Sequence, residues 1–243
     1  MNAILMALVC VLLLNAYAAL LIVLRAKVYG VPLYRPMLVN IGLSLAPVAL
    51  AVIGLIGFLL VTPAALGLGA ISAALPVTAV WIYLGIATLA WLVFFPNSIY
   101  LITELNFSHR REHTPVPLWY DIVHTLTLTG SGLANAVLSL ALIQFGLIVV
   151  IADPAAGSGP PAWSWIFAAA AILLGSVGVY LGRYLRLNSW DVRHPATLIR
   201  KLREHFAARG KALEGVAFVA THTVLVALVY VPIFGLAYNA ILS

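Results

Sequence analysis

The chain has few of the residues on which most soluble enzymes depend. Charged residues occupy 8% of its 243 positions, against about 25% in soluble domains. Its single cysteine, Cys10, lies inside an apolar run, which excludes an intrachain disulfide and a cysteine metal cluster. The sequence contains no glycine-rich phosphate loop, no Gly-x-Ser-x-Gly elbow and no His-Glu-x-x-His motif. No familiar nucleophilic or zinc-protease chemistry is therefore indicated.

Long apolar runs are what the chain has in abundance. Hydrophobic residues make up 64% of it, and its mean hydropathy is +1.10. A helix of about 20 apolar residues suffices to cross a bilayer. We therefore predict an all-α polytopic membrane protein, a bundle that forms a single transmembrane domain over residues 1–243. Its six predicted spans cover about residues 3–24, 38–61, 74–95, 119–151, 163–182 and 212–238.

The basic residues are distributed unevenly between the loops. All thirteen Lys and Arg residues fall in the first, third and fifth of the five loops between predicted spans. Because cytoplasmic loops are enriched in Lys and Arg, this pattern predicts that those loops are cytoplasmic and that both termini are not. The net charge of +6 then faces anionic lipid headgroups, which explains it without a nucleic-acid partner.

The fifth loop contains an amphipathic segment just before the last span. It begins at Pro195, which suits the first position of a helix. Its apolar and charged residues separate onto two sides. This pattern predicts a short interfacial helix in contact with membrane lipids. The apolar side comprises Leu198, Ile199, Leu202 and Phe206, and the charged side comprises Arg200, Lys201, Arg203 and Glu204.

Polar residues recur at three- and four-residue spacings along the fourth predicted span, so they share one helix face. They are Asp121, His124, Ser131, Asn135 and Ser139. Such a face either bonds to neighbouring helices or lines a wet cavity. For the Ser and Asn members we favour bonding between helices. Asp121 and His124 are candidates for a functional site, because ionisable groups near a membrane interior usually mark one.

Two further features of the spans concern packing. Gly175, Gly178 and Gly182 form a stripe of small residues, which indicates close approach of a neighbouring helix. His222 lies about ten residues into the last span, near the middle of the membrane. We favour a hydrogen-bonded core donor for this histidine over a ligand or a proton carrier.

Reactive groups are concentrated in two stretches on the predicted cytoplasmic side. In the first, Pro96 is expected to end or break the third span. If a helix resumes after it, Asn97, Tyr100 and Glu104 share one face.

The second stretch runs from Gly182 to His194. A continued helix there would place Arg183 and Arg186 side by side, a fork suited to a carboxylate or a phosphate. Their simplest partners are internal, and surplus positive charge would leave room for an anionic ligand such as a lipid phosphate. The nearby acids are Glu104, Asp121 and Asp191.

A divalent metal is an alternative interpretation of the same residues. Asp121 and His124 are three residues apart, as are Asp191 and His194, a spacing used by metal sites on bundle helices. Glu104, His109 and His113 are possible additional ligands, and a set formed by Asp121, His124 and Glu104 would favour zinc, iron or manganese.

Three motifs together carry a resemblance to a known family. They are Phe-Pro-Asn97-x-x-Tyr100-x-x-Thr103-Glu104-Leu105, Trp119-Tyr120-Asp121 and Gly182-Arg183-x-x-Arg186-x-Asn188-Ser189-Trp190-Asp191. Over roughly residues 40–235 the chain resembles the bacterial domain-of-unknown-function 1361 membrane family. The resemblance implies a multi-pass protein of the bacterial inner membrane and leaves the activity open. The family pattern does not clearly include His124 or His194, which weakens the metal interpretation.

The motif residues define a hypothesis for a polar site that faces the cytoplasm. Arg183 and Arg186 would hold an anionic group, together with Ser189 and Trp190. Asp121 or Glu104 would serve as a base or a metal ligand, and Asn97 and Asn188 would orient the substrate. The full predicted catalytic set is Asn97, Tyr100, Glu104, Asp121, Asn188 and Asp191.

Three classes of function stay open at this point. We favour an enzyme that acts on a lipid-linked or anionic amphipathic substrate, because acids, amides and paired arginines at one interface suit such a headgroup. A transporter or channel for a small solute or ion would use the break at Pro96 and the polar face of the fourth span. The sequence has no inverted repeat to support it. A non-catalytic assembly subunit would leave the reactive residues unexplained.

Overall fold

The computed structural model describes residues 3–67, 74–104, 115–151, 159–185 and 195–242, and every regular element in these ranges is helical. The helices are α1 (Ala3–Tyr29), α2 (Arg35–Leu66), α3 (Leu75–Phe94), α4 (Pro96–Tyr100), α5 (Leu118–Ile151), α6 (Ala162–Tyr184), α7 (Pro195–Ala207) and α8 (Lys211–Leu242). A 3₁₀ turn, Leu101–Glu104, follows α4. Six segments are long and apolar enough to cross a membrane, with α3, α4 and the 3₁₀ turn counted as one. The predicted all-α membrane bundle is confirmed.

Helix α5 lies at the centre of the bundle. It packs against α1, α2, α4, the 3₁₀ turn, α6 and α8. Half of its apolar window is buried, whereas most of the surface of α3 is exposed. Exposed aliphatic side chains such as Leu59, Ile86 and Leu228 are expected where lipid, not water, covers the helices.

Pro96 divides the third spanning segment. Helix α3 ends at Phe94, and the chain resumes as α4 with Pro96 at its first position, where the missing N–H leaves no hydrogen bond unmade. The predicted break is confirmed, and a short helix and a 3₁₀ turn follow it. Ser98, Ile99 and Leu101 of the continuation are fully buried, so this segment runs inside the bundle.

Glycines allow α4 to approach its neighbours closely. A Cβ atom added at Gly132 of α5 would lie 2.6 Å from the carbonyl oxygen of Ser98, and one at Gly178 of α6 would lie 2.5 Å from Cγ of Pro96. Gly175 similarly faces Phe95 and Ile99 at 2.8 Å. The predicted packing role is thus confirmed for Gly175 and Gly178. For Gly182, no described residue lies within 4 Å of an added Cβ, so the described part of the chain does not support a packing role there.

A buried polar network ties α5 to three other helices. The Asn15 and Asn135 side-chain amides exchange two hydrogen bonds, of 2.8 and 3.0 Å, and Asn135 Nδ2 also donates to Ser44 Oγ at 2.8 Å. Ser98 Oγ donates to the Ser44 carbonyl oxygen at 2.7 Å. The predicted bonding between helices is therefore confirmed for Asn135. Ser131 and Ser139 instead donate to carbonyl oxygens of α5 itself.

The short helix before the last span is confirmed as α7. Its residue His205 lies 2.8 Å from the Tyr180 hydroxyl, measured at Nε2, which joins α7 to α6. The Tyr180 hydroxyl also donates to the carbonyl oxygen of Lys211 at 3.4 Å. These contacts bring the end of α6, the helix α7 and the start of α8 together.

One end of the bundle carries the basic residues of the spanning helices. Helices α1 and α6 end there, and α2, α5 and α8 begin there. We call it the basic end. Its described Lys and Arg residues on the spanning helices are Arg25, Lys27, Arg35, Arg183 and Lys211, and α7 with the turn after it adds Arg200, Lys201, Arg203 and Arg209.

Candidate functional site

Arg183 is the centre of the first polar group at the basic end. It lies in the last turn of α6, where a cation interacts favourably with the helix dipole. Its Nη1 donates to Thr103 Oγ1 at 2.9 Å and lies 3.8 Å from Glu104 Oε1. Its Cζ lies 5.9 Å from the centre of the Tyr100 ring, within range of a cation–π interaction. The structure thus brings together Tyr100, Glu104 and Arg183, which the sequence placed in two separate stretches.

Thr103 fixes the direction in which this arginine points. Its hydroxyl donates to the Tyr100 carbonyl oxygen at 2.7 Å, so a lone pair is left to accept from Arg183. The 3₁₀ turn supplies both Thr103 and Glu104, and its other two residues, Leu101 and Ile102, anchor it because they are buried in the bundle. The family motif included Thr103, but no role had been predicted for it.

Asp121 belongs to a second polar group, formed with α1. Its Oδ1 accepts a hydrogen bond from Arg25 Nε at 3.0 Å. Asp121 lies in the first turn of α5, where a carboxylate interacts favourably with the helix dipole. The sequence interpretation offered Arg183 or Arg186 as its partner and missed Arg25. The only available signal was that Arg25 is an ionisable residue near the end of a span, and this does not name a partner.

His124 lies one turn deeper than Asp121 on the same helix. It is 8% exposed, and its Nε2 has no hydrogen-bond partner in the described part of the chain. Within the same residues, no group of three or more His, Cys, Asp or Glu side chains is close enough to hold a metal ion. Glu104 and Asp121 each contact a different arginine instead. The metal interpretation gains no support from this arrangement.

The remaining predicted residues divide into described and undescribed ones. Asn97 is half-buried, and its amide makes no hydrogen bond to the described residues. His222 Nδ1 donates to the Phe218 carbonyl oxygen at 2.9 Å, and its ring stacks on Phe218, so the core-donor interpretation is confirmed. The other predicted residues lie outside the described ranges: His109, His113, Arg186, Asn188, Ser189, Trp190, Asp191 and His194.

A family model described as "Protein of unknown function (DUF1361)" matches residues 40–229, which is well over half of the chain. The chain belongs to this family. The DUF1361 match includes Glu104, Asp121 and Arg183 and begins after Arg25. No curated protein and no solved structure matches the chain.

Proposed function

We propose that this DUF1361 protein binds the headgroup of an anionic amphiphile at its basic end and acts on that molecule as an enzyme. The observation that carries the proposal is how few hydrogen bonds the Arg183 guanidinium makes to the described residues. Within the described residues only Nη1 of its guanidinium donates a hydrogen bond, and the Glu104 oxygen at 3.8 Å lies beyond hydrogen-bond distance. We propose that the three N–H groups on Nε and Nη2, which make no hydrogen bond to the described residues, donate to an anion.

The location of Arg183 suits an amphiphile. Its side chain is 28% exposed and lies in the last turn of a spanning helix, where we expect lipid headgroups to meet the hydrocarbon. A guanidinium binds phosphate or carboxylate oxygens in a planar, bidentate manner. The lipid-exposed helices around it would let an amphiphile reach this site from within the membrane.

The chemical step would use carboxylates near the bound headgroup. Glu104 lies beside Arg183 and is the proposed base, and Asn97 would orient the substrate. Asp121, the other candidate base, contacts Arg25 instead. Arg186, Asn188, Ser189, Trp190 and Asp191 stay predictions, as parts of the same site. Transport is less well supported, because the polar groups at Asn15, Ser44 and Asn135 bond to one another and do not line a wet path.

Lipid analysis of the purified protein tests the binding step. We expect an anionic lipid to be enriched over its fraction in the source membrane, and Arg183→Gln to remove that enrichment. Arg35→Gln removes the same charge from an exposed position at the same end of the bundle and serves as the matched control. Equal enrichment in the Arg183→Gln protein would contradict the proposed site.

Conversion of the enriched lipid tests the catalytic step separately. We expect Glu104→Gln to bind this lipid but to convert none of it, as measured by mass spectrometry of the products. A folded wild-type protein that binds the lipid and leaves it unchanged would remove the enzymatic part of the proposal. It would retain the binding part.

We further propose that the protein resides in the cytoplasmic membrane of a bacterium, with its basic end inside. The support is the confinement of Lys and Arg to alternate loops. Cys10 is the only cysteine, so Cys10→Ser provides a background for single-cysteine labelling. We expect Arg209→Cys to react with an impermeant maleimide only in inverted vesicles, and Gly159→Cys only in intact cells. The reverse pattern would overturn the orientation.

A further inference from the structure

Helix α7 has an inner face that contacts the bundle. His205 hydrogen-bonds to Tyr180. The ring of Phe206, at the edge of the same face, stacks on the Tyr180 ring. Leu198 and Leu202 are half-buried on the same side. The bundle therefore covers part of the apolar surface of α7.

The remaining apolar surface of α7 is uncovered. Ile199 is 64% exposed and Phe206 is 39% exposed. They are seven residues apart, which places them two turns apart on one helix face. Because α7 directly precedes the start of a spanning helix, this face lies close to the membrane boundary.

Positive charge borders this uncovered face. Arg203 follows Ile199 by one turn, and Arg200 lies beyond it on the outer side, both exposed. Glu204 does not neutralise Arg200, because their 4.0 Å pair is about 70% exposed on both sides and is screened by solvent. Arg209, in the turn that follows α7, is also exposed.

We propose that the outer face of α7 is a docking surface for the anionic phospholipid headgroups of the surrounding bilayer. Ile199 and Phe206 enter the region below the phosphates, while Arg200, Arg203 and Arg209 contact the phosphate groups. Charge complementarity selects this occupant, since a basic amphipathic helix binds in proportion to both its apolar area and the anionic lipid content. This surface is separate from the Arg183 site and does not depend on the function proposed for it.

Spin labels on single cysteines test the proposal in the full-length protein. In the Cys10→Ser background, labels at Ile199→Cys and Phe206→Cys are compared with one at Glu204→Cys, on the opposite side of α7. The protein is reconstituted in phosphatidylcholine bilayers with and without phosphatidylglycerol. Collision with oxygen reports immersion in lipid, and collision with a water-soluble nickel chelate reports exposure to water.

With phosphatidylglycerol present, we expect the labels at 199 and 206 to be accessible to oxygen and protected from nickel. The label at 204 should show the reverse, which also verifies that α7 is folded. Removing phosphatidylglycerol, or introducing Arg200→Gln with Arg203→Gln, should shift 199 and 206 toward water, with affinity falling about fivefold per basic residue.

Two outcomes would overturn the proposal. Equal immersion of 199 and 206 in both lipid compositions would show that anionic headgroups are not recognised. Protection of both labels from oxygen as well as nickel would show that protein, and not lipid, covers this face.

Discussion

The two arginine–carboxylate pairs at the basic end differ in whether the arginine donates a hydrogen bond directly to the carboxylate. Arg25 Nε donates directly to Asp121 at 3.0 Å, whereas Arg183 lies 3.8 Å from Glu104 and donates to Thr103 instead. Their exposure does not explain the difference, because the arginines are 29% and 28% exposed and the acids 14% and 17%. One pair joins two regular helices, and the other involves a 3₁₀ turn whose hydroxyl reaches the guanidinium first.

The difference separates an interaction that holds helices together from one that leaves room for a ligand. In the α1–α5 pair, the carboxylate accepts a direct hydrogen bond from the arginine and so offsets its charge. In the pair between α6 and the 3₁₀ turn, the arginine is oriented but not neutralised by a direct hydrogen bond. We expect ligand binding to depend on the second pair and to be insensitive to the first.

The largest expected effect on stability comes from disturbing the packing of α6 against α4, the helix that leads into the 3₁₀ turn of the Arg183–Glu104 pair. Gly178→Ala would place a Cβ 2.5 Å from the rigid ring of Pro96, and such overpacking costs about 1–3 kcal/mol. Gly182→Ala, one turn away and with no described atom within 4 Å of the added Cβ, is the control and should be neutral or slightly stabilising. Unfolding in mixed dodecyl sulfate micelles measures both. Equal losses would show that close contact with Pro96 is not what requires glycine.

A somewhat smaller effect is expected in the network that holds α1 against α5. A double-mutant cycle of Asn15→Ala and Asn135→Ala should give a coupling free energy of about 0.6–1.7 kcal/mol, as for other hydrogen bonds between membrane helices. The same unfolding assay provides the measurement. A coupling near zero would mean that the two amides find equivalent partners elsewhere.

Removing the hydroxyl that orients Arg183 should affect binding more than folding. Thr103→Val should weaken phosphatidic acid binding about two- to tenfold, the equivalent of one lost hydrogen bond. Thr103→Ser keeps the hydroxyl and should bind like the wild type. Both can be measured by native mass spectrometry of lipid-bound protein. Unchanged binding in the valine variant would show that Arg183 is oriented by Glu104 alone.

The smallest expected effect concerns the Arg25–Asp121 pair. Arg25→Gln should change the free energy of unfolding by no more than about 1 kcal/mol, because both partners are partly solvent-exposed and such pairs contribute little. A loss of several kcal/mol would show that Asp121 is effectively buried without Arg25.

Sequence periodicity predicted the elements of the fold because span length and charge placement are local properties. The fourth predicted span, residues 119–151, corresponds to α5 at Leu118–Ile151, and the break at Pro96 follows from its missing N–H. The residues that bond across helices could not be predicted in the same way. Arg25 and Asp121 are 96 residues apart, and Asn15 and Asn135 are 120 apart. Nothing local specifies which helices meet.

The glycines show the same boundary between local and tertiary information. The small-residue stripe on α6 indicated close packing, but it did not distinguish Gly178, against Pro96, from Gly182, which no described residue approaches. Gly132 of α5 escaped notice, because its need for a small side chain arises only from where Ser98 comes to lie.

Phosphatidic acid titration of the Arg183→Gln and Arg25→Gln proteins, side by side in nanodiscs, tests the central claim most directly. Both substitutions remove one charge from the basic end. We expect Arg183→Gln to weaken binding about tenfold or more, since charge-assisted hydrogen bonds contribute about 1.5–3 kcal/mol, and Arg25→Gln to leave it nearly unchanged. Equal weakening by the two substitutions would mean that general positive charge, and not the open Arg183 site, attracts the lipid.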